Sequence, residues 1–194
     1  QFKDGQITPK ANMNIQLVDI KQDTSHLADV ERLYNTAFPS DERAPFKWLV
    51  RGAKKDNVDF LACMNGDEWV GLLYTVNYDD LSYVFYFAVD DKQRGKGCGT
   101  AILKAAQAKY NGRRLFLAIE EVEEKYDNYD ERVKRQRFYE NAGFVHTGQK
   151  MQEATVIYDL MSVGGRIGNK EYRRLMRSFG GIRMYLITLR IFED

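Results

Sequence analysis

The chain has 194 residues, 44% hydrophobic and 29% charged, enough apolar mass for the core of one domain and too much for a disordered chain. Its 29 Lys and Arg against 28 Asp and Glu leave a formal net charge of +1, which excludes a general nucleic-acid or membrane-surface binder held by charge. No apolar run reaches the length of a membrane span.

Residues 1–12, QFKDGQITPKAN, are polar and unpatterned, and are expected to be a leader or a disordered tail. NIQLVDI (14–20) alternates apolar and polar residues and predicts a strand. SHLADVERLYNTAF (25–38) places Leu27, Val30, Leu33, Tyr34 and Phe38 on one helical face, with Thr24 or Ser25 as the cap. Pro39 and Pro45 break that helix, and a short one is expected over 46–53 through Trp48 and Leu49. Strands over 58–64 and 68–78 flank Asn65-Gly66, a strong hairpin signal, and a third strand follows over 81–90. Next come a glycine-rich loop, a helix over 100–110, a strand over 114–119, and a helix over 129–142 with Gly143 at its left-handed C-cap. Residues 144–151 and 154–162 read as a closing antiparallel pair. The tail predicts a helix over 169–179, a stop at Gly180-Gly181 and a strand over 183–192. An exposed edge of that strand's apolar character needs covering, by its own sheet or by a second copy, so monomer and homodimer both stay open. The element order implies one α/β (α+β) domain with a mixed, mostly antiparallel sheet of about seven strands flanked by helices, plus an extra C-terminal helix and strand.

The loop QRGKGCGT (93–100) carries glycines at 95, 97 and 99 between a strand and a helix. Free N–H groups at a helix start, bare backbone and the cations Arg94 and Lys96 together predict a phosphate or pyrophosphate cradle. The spacing departs from G-x-G-x-x-G, and no Lys follows the last glycine, so neither the dinucleotide fingerprint nor the P-loop applies. The alternative is a glycine-rich turn with two solvated cations. Cys63 and Cys98 lie far apart without metal-type spacing, which favours a reducing, cytoplasmic setting. With only His26 and His146, and no acidic set around them, no metal is expected.

After a strand ending FAVDD, QRGKGCGT resembles the acyl-CoA loop [QR]-x-x-G-x-[GA] of the GNAT superfamily of N-acetyltransferases, with Arg94, Gly97 and Gly99 at its fixed positions. RFYENAGF (137–144) resembles that family's second signature, a tyrosine on a helix four residues before Gly-Phe. The resemblance covers residues 13–162 as a GNAT-like domain and leaves 163–194 as a helix–strand extension packed on it. AFPSDERAP and YDLMSVGG, with KEYRRLM beyond, resemble a bacterial branch of the superfamily that carries no substrate assignment.

The resemblance implies acetyl-CoA as co-substrate, with its pyrophosphate on Arg94, Gly95, Lys96, Gly97, Cys98, Gly99 and Thr100. Its pantetheine arm would lie along Phe87, Ala88 and Val89 in the manner of an added strand, in a gap splayed between that strand and the one at 114–119. It implies Tyr139 as general acid toward the sulfur and the Val89 N–H as the carbonyl polariser. A second reading of Tyr139 is structural: Phe144 at C″ would pack on it at C3, and both readings can hold at once. Glu120 is the candidate base, against a reading of EEVEEKYDNYD (120–130) as a solvated acidic run. If that run lines the acceptor cleft, its field favours a cationic amine on a small molecule or a peptide. Tyr34, Phe38, Glu42 and Arg43 are the candidate acceptor contacts, against a salt-bridged turn at Glu42-Arg43. Arg132 stands where many members carry an asparagine that contacts the cofactor. The expected activity is direct acetyl transfer to a primary amine in a ternary complex. The alternatives are an acyl-CoA-binding sensor without turnover and a nucleotide-binding protein using the same cradle.

Overall fold

Period-two alternation builds the strands, and the computed structural model, which describes residues 13–40, 43–153, 155–185 and 189–193, joins them into one eight-stranded sheet. In chain order the elements are β1 (Ile15–Asp19), α1 (Leu27–Ala37), α2 (Phe46–Gly52), β2 (Val58–Asn65), β3 (Glu68–Tyr78), β4 (Leu81–Val89), α3 (Cys98–Lys109), β5 (Arg114–Glu120), α4 (Tyr129–Asn141), β6 (Val145–Glu153), β7 (Val156–Val163), α5 (Asn169–Tyr185) and β8 (Leu189–Glu193). The strand order is β1-β2-β3-β4-β5-β7-β6-β8. The fold is the mixed, mostly antiparallel α/β architecture expected, with the added strand β8 paired on β6 within the same sheet. Residues 1–12 lie outside the described residues.

Two cores form, one on each face. Val30, Leu33 and Tyr34 of α1, Leu49 of α2, and Tyr172, Leu175 and Met176 of α5 bury one face with Phe60, Tyr74, Phe116 and Met151. Ile102, Leu103 and Ala106 of α3, with Ala142 and Phe144 after α4, bury the other with Leu61, Leu73, Leu115 and Leu117.

β4 and β5 run parallel, joined by the α3 crossover that such a pair requires. They are paired only over Leu81↔Arg114, Ser82↔Leu115 and Tyr83↔Phe116, so the sheet is split from there to Val89 and Glu120. A bulge at Phe85 adds to the bend, since Tyr74 faces Tyr86 while Thr75 faces Val84. Arg114 clamps the closed end of the split. Its guanidinium takes Asp80 through Nε at 2.7 Å and Nη2 at 2.8 Å, and takes Glu171 at the start of α5 at 2.9 and 3.1 Å.

Four local expectations are corrected. The cap of α1 is His26, which makes no side-chain cap bond, because the Thr24 carbonyl accepts from Leu27 N–H while Asp23 holds Ser25 N–H. The tight turn of the β2–β3 hairpin is Gly66-Asp67, with Asn65 still paired to Glu68. α3 starts at Cys98, two residues earlier than expected. α5 runs through Gly180-Gly181 to Tyr185, and the last strand begins at Leu189. A glycine costs about 1 kcal/mol in a helix, less than the buried stripe Tyr172, Leu175 and Met176 supplies by packing.

Candidate active site

The site begins where β4 hands over to α3. Gly97 caps α3 at φ +91° and offers no side chain to the helix, so the N–H groups of Cys98, Gly99 and Thr100 have no intrahelical partner. The first intrahelical acceptor is the Gly97 carbonyl, bonded by Ala101 N–H at 3.1 Å. Gly95, at φ +74°, has open space where a Cβ would stand. At Gly99 a Cβ would meet the Phe138 ring at 2.9 Å, so the missing side chain lets α3 and α4 close together. These residues form a bare cradle that fits an anionic phosphate group.

The cations beside it are already engaged. Arg94 turns back to Asp91 at 2.9 Å, and Lys96 Nζ donates to Gln93 Oε1 at 3.1 Å. Cys98 is buried, which raises its thiol and keeps it neutral.

A cavity of about 840 Å³ runs from this cradle into the split. Gln93, Arg94, Gly95, Gly97, Cys98, Gly99 and Thr100 line it, with Phe87, Ala88 and Val89 along β4; Lys96 does not. Asp90 N–H bonds Val70 O at 2.9 Å on β3, so strand alternation turns the N–H groups of Val89 and Phe87 the other way, into the split. Phe87 stacks on Phe138, with centroids 6.2 Å apart and planes 7° apart.

Tyr139 lines the same cavity from α4. Burial raises its hydroxyl above the ordinary value, and Arg135 partly offsets the shift. The turn after α4 is the expected left-handed cap: Gly143 sits at φ +97°, its N–H bonds Glu140 O at 2.9 Å, and Phe144 N–H bonds Tyr139 O at 3.1 Å. The Phe144 ring meets Tyr139 edge-on, with centroids 6.0 Å apart.

Glu120 lines the cavity, but its carboxylate is held by two arginines, Arg132 at 3.1 Å and Arg135 at 2.9 Å. Arg132 also donates to Glu121 O and Asn128 Oδ1, both at 2.7 Å, and lies 3.8 Å over the Tyr126 ring. The acidic run is therefore laced to its neighbours in part. Lys150 holds Glu121 at 2.8 Å and Asp159 at 3.2 Å, with His146 3.6 Å from the same Asp159.

Of the acceptor candidates, Phe38 lines the cavity. Tyr34 does not: it is fully buried against Phe38, Phe46 and Tyr86, with its hydroxyl on Ala44 O at 2.9 Å. Arg43 is spent on the Asn35 carbonyl and on Asn35 Oδ1 at 3.0 Å, and Glu42 lies outside the described residues.

Sequence reasoning missed Glu153. It ends β6, lines the cavity, and accepts bonds from Tyr172 at 2.7 Å and Tyr83 at 3.3 Å. It shares the strand parity of the buried Met151, but it lies past residue 151, where the strand was expected to end. Among the described residues no group of His, Cys, Asp and Glu is placed to hold a metal ion, and no helix is long and apolar enough to cross a membrane.

Residues 56–146 match the family model described as an acetyltransferase (GNAT) domain. No curated protein matches the chain. Among solved structures, a protein from Bacteroides thetaiotaomicron assigned to the GNAT family superposes with a TM-score of 0.63 at 21% identity, over 90% of this chain and 96% of its own. An aminoglycoside 6'-N-acetyltransferase complexed with coenzyme A gives 0.60 at 15% identity, over 78% and 96%. The ribosomal-protein-S18-alanine N-acetyltransferase of Escherichia coli gives 0.56 at 15% identity, over 80% and 96%. Residues 56–146 thus carry an acetyltransferase (GNAT) domain, set in a GNAT-like fold that the chain shares with these structures along most of its length.

Proposed function

We propose that this protein is an N-acetyltransferase that moves an acetyl group from acetyl-CoA to a primary amine by direct attack in a ternary complex. The observation that carries the reading is the cavity that joins the bare cradle at α3, the outward edge of β4, Tyr139 and the opposite face of the sheet at Phe38. Bound acetyl-CoA supplies an activated thioester.

In this reading the N–H groups of Gly95 through Thr100 hold the pyrophosphate, with Arg94 and Lys96 as flanking charge. The outward groups of Phe87 and Val89 bond the pantetheine arm as a neighbouring strand would, and the Val89 N–H polarises the thioester carbonyl. The amine nitrogen forms a bond to the carbonyl carbon and the carbon–sulfur bond breaks. The nitrogen sheds one proton to solvent as the amide forms, while Tyr139, kept protonated by burial, gives its proton to the departing sulfur and regains one from solvent, so that no net proton is gained or lost. We assign Glu120 to anchoring α4 through Arg132 and Arg135 rather than to proton removal, because two cations already balance its charge. An amine of a small molecule or of a peptide fits equally, as the aminoglycoside and ribosomal-protein enzymes of the same fold act on one or the other. The buried, unpaired Cys63 and Cys98 suit a reducing, cytoplasmic setting.

Thiol release from acetyl-CoA across an amine panel tests the reading. Wild-type protein turns over on at least one amine, and Tyr139→Phe lowers kcat by about 10²–10⁴-fold while coenzyme A affinity is kept. Tight coenzyme A binding with no release on any amine overturns the enzyme and leaves an acyl-CoA sensor. Preferential binding of ATP would leave a nucleotide-binding protein.

A further inference from the structure

The cavity extends through the split to the face opposite α3, where its lining includes Ala37, Phe38 and Pro39, Tyr83 and Tyr86 of β4, Tyr158 of β7, and Glu153. Both tyrosine hydroxyls that bond Glu153 meet the same oxygen, Oε1, and among the described residues none bonds Oε2. A carboxylate oxygen without a donor, inside an aromatic cavity, is the complement of a cation. Glu120, by contrast, has both oxygens paired.

Resting on the N-acetyltransferase reading above, we propose that Glu153 seats the ammonium end of the acceptor and takes its proton, which makes the acceptor an alkylammonium entering from the face opposite the coenzyme. The proton passes from the ammonium nitrogen to Glu153 Oε2. That frees the nitrogen lone pair for the thioester carbonyl, and the proton leaves to solvent after the carbon–sulfur bond has broken. Aromatic walls favour a cation stripped of water, and one buried carboxylate balances one positive charge, so the seat takes a single ammonium group on an apolar stem.

The surroundings support this role. Burial raises the Glu153 carboxyl above the usual carboxylate range, while the Tyr172 and Tyr83 hydroxyls draw it back. A base lifted in this way holds a transferred proton better than a surface carboxylate does. Among the described residues, Tyr83 of β4 and Tyr172 of α5 are the titratable groups that bond it, and Tyr158 of β7 lines the same cavity. Burial raises Tyr83 and Tyr172 as well, so both remain donors. Across the strand, Glu153 pairs with Val156 of β7 and Leu189 of β8.

The test uses the full chain and Glu153→Gln, which keeps the shape and removes the charge. With n-hexylamine as the probe, amine binding to the coenzyme A complex is measured by calorimetry, beside thiol release against pH. Glu153→Gln is expected to bind coenzyme A within about twofold of wild type, to lose hexylamine binding, and to lose about 10²-fold or more in kcat/KM. The fall of wild-type kcat/KM at low pH, as Glu153 protonates, is absent in that variant. Tyr172→Phe removes a donor that favours the ionised carboxylate, so it moves the fall to higher pH. Equal hexylamine binding by wild type and Glu153→Gln, or no binding by either, overturns the proposal whether or not acetyl transfer is seen. Absence of turnover on every amine of the panel, with hexylamine still bound through Glu153, overturns the N-acetyltransferase reading and leaves the ammonium seat standing.

Discussion

Gly97 and Tyr139 make opposite use of the same physics. At Gly97 the backbone needs φ +91° and no side chain, so that three helix N–H groups stay open to an anion. Gly112 shares a positive φ of +84° but lies in a turn outside the cavity lining. Gly97→Ala and Gly112→Ala should each lower stability by about 1 kcal/mol in thermal unfolding. Only Gly97→Ala should also weaken coenzyme A binding in calorimetry. Tyr139 was legible as a packing residue, because the spacing from Gly143 to Phe144 fixes its place at C3. That Tyr139 also lines a cavity follows from where α4 lies against β4, which local spacing does not encode.

Among the elements, the split between β4 and β5 makes the site, and it persists because one end is held shut. Parallel pairing covers three residues on each strand, and Arg114 ties the first of them to Asp80 and to Glu171 of α5. Arg114→Ala leaves two carboxylates without their fork of donors, and unfolding in denaturant should show a loss of about 2 kcal/mol. The strands themselves were readable from alternation and β-branched or aromatic content. Their splay was expected only through the family resemblance, since it is the absence of pairing beyond Tyr83, and an absence has no local signature. The failed stop at Gly180-Gly181 has the same origin, since the stripe of α5 on the sheet outweighs the local cost of two glycines.

For the whole molecule, charge and sheet order tie the tail to the site. We read residues 13–162 and 163–194 as one unit, supported by β8 on β6 and by the Tyr172 hydroxyl on Glu153. Glu121 supplies a pH lever. Lys150 and the Tyr126 hydroxyl hold its carboxyl down at about 2. A group with a depressed folded value contributes stability above its unfolded value and loses it as pH falls through the folded one. Acid melting should therefore lower the midpoint as pH drops from about 4.5 toward about 2, and Glu121→Gln should flatten that part of the curve.

By itself, the sequence determined the order and kind of nearly every element, the bare cradle after β4, and the tyrosine at the end of α4. Each is written in periodicity, glycine placement or cap spacing within a dozen residues. Tertiary structure alone decided the rest. It neutralised Glu120 with two arginines, sank Tyr34 into the core, and brought Glu153 to the mouth of the split under Tyr83 and Tyr172, 70 and 19 residues away in the chain. The physical reason is that a carboxylate's charge and solvation depend on what the folded chain brings beside it, and such neighbours leave no trace in local spacing.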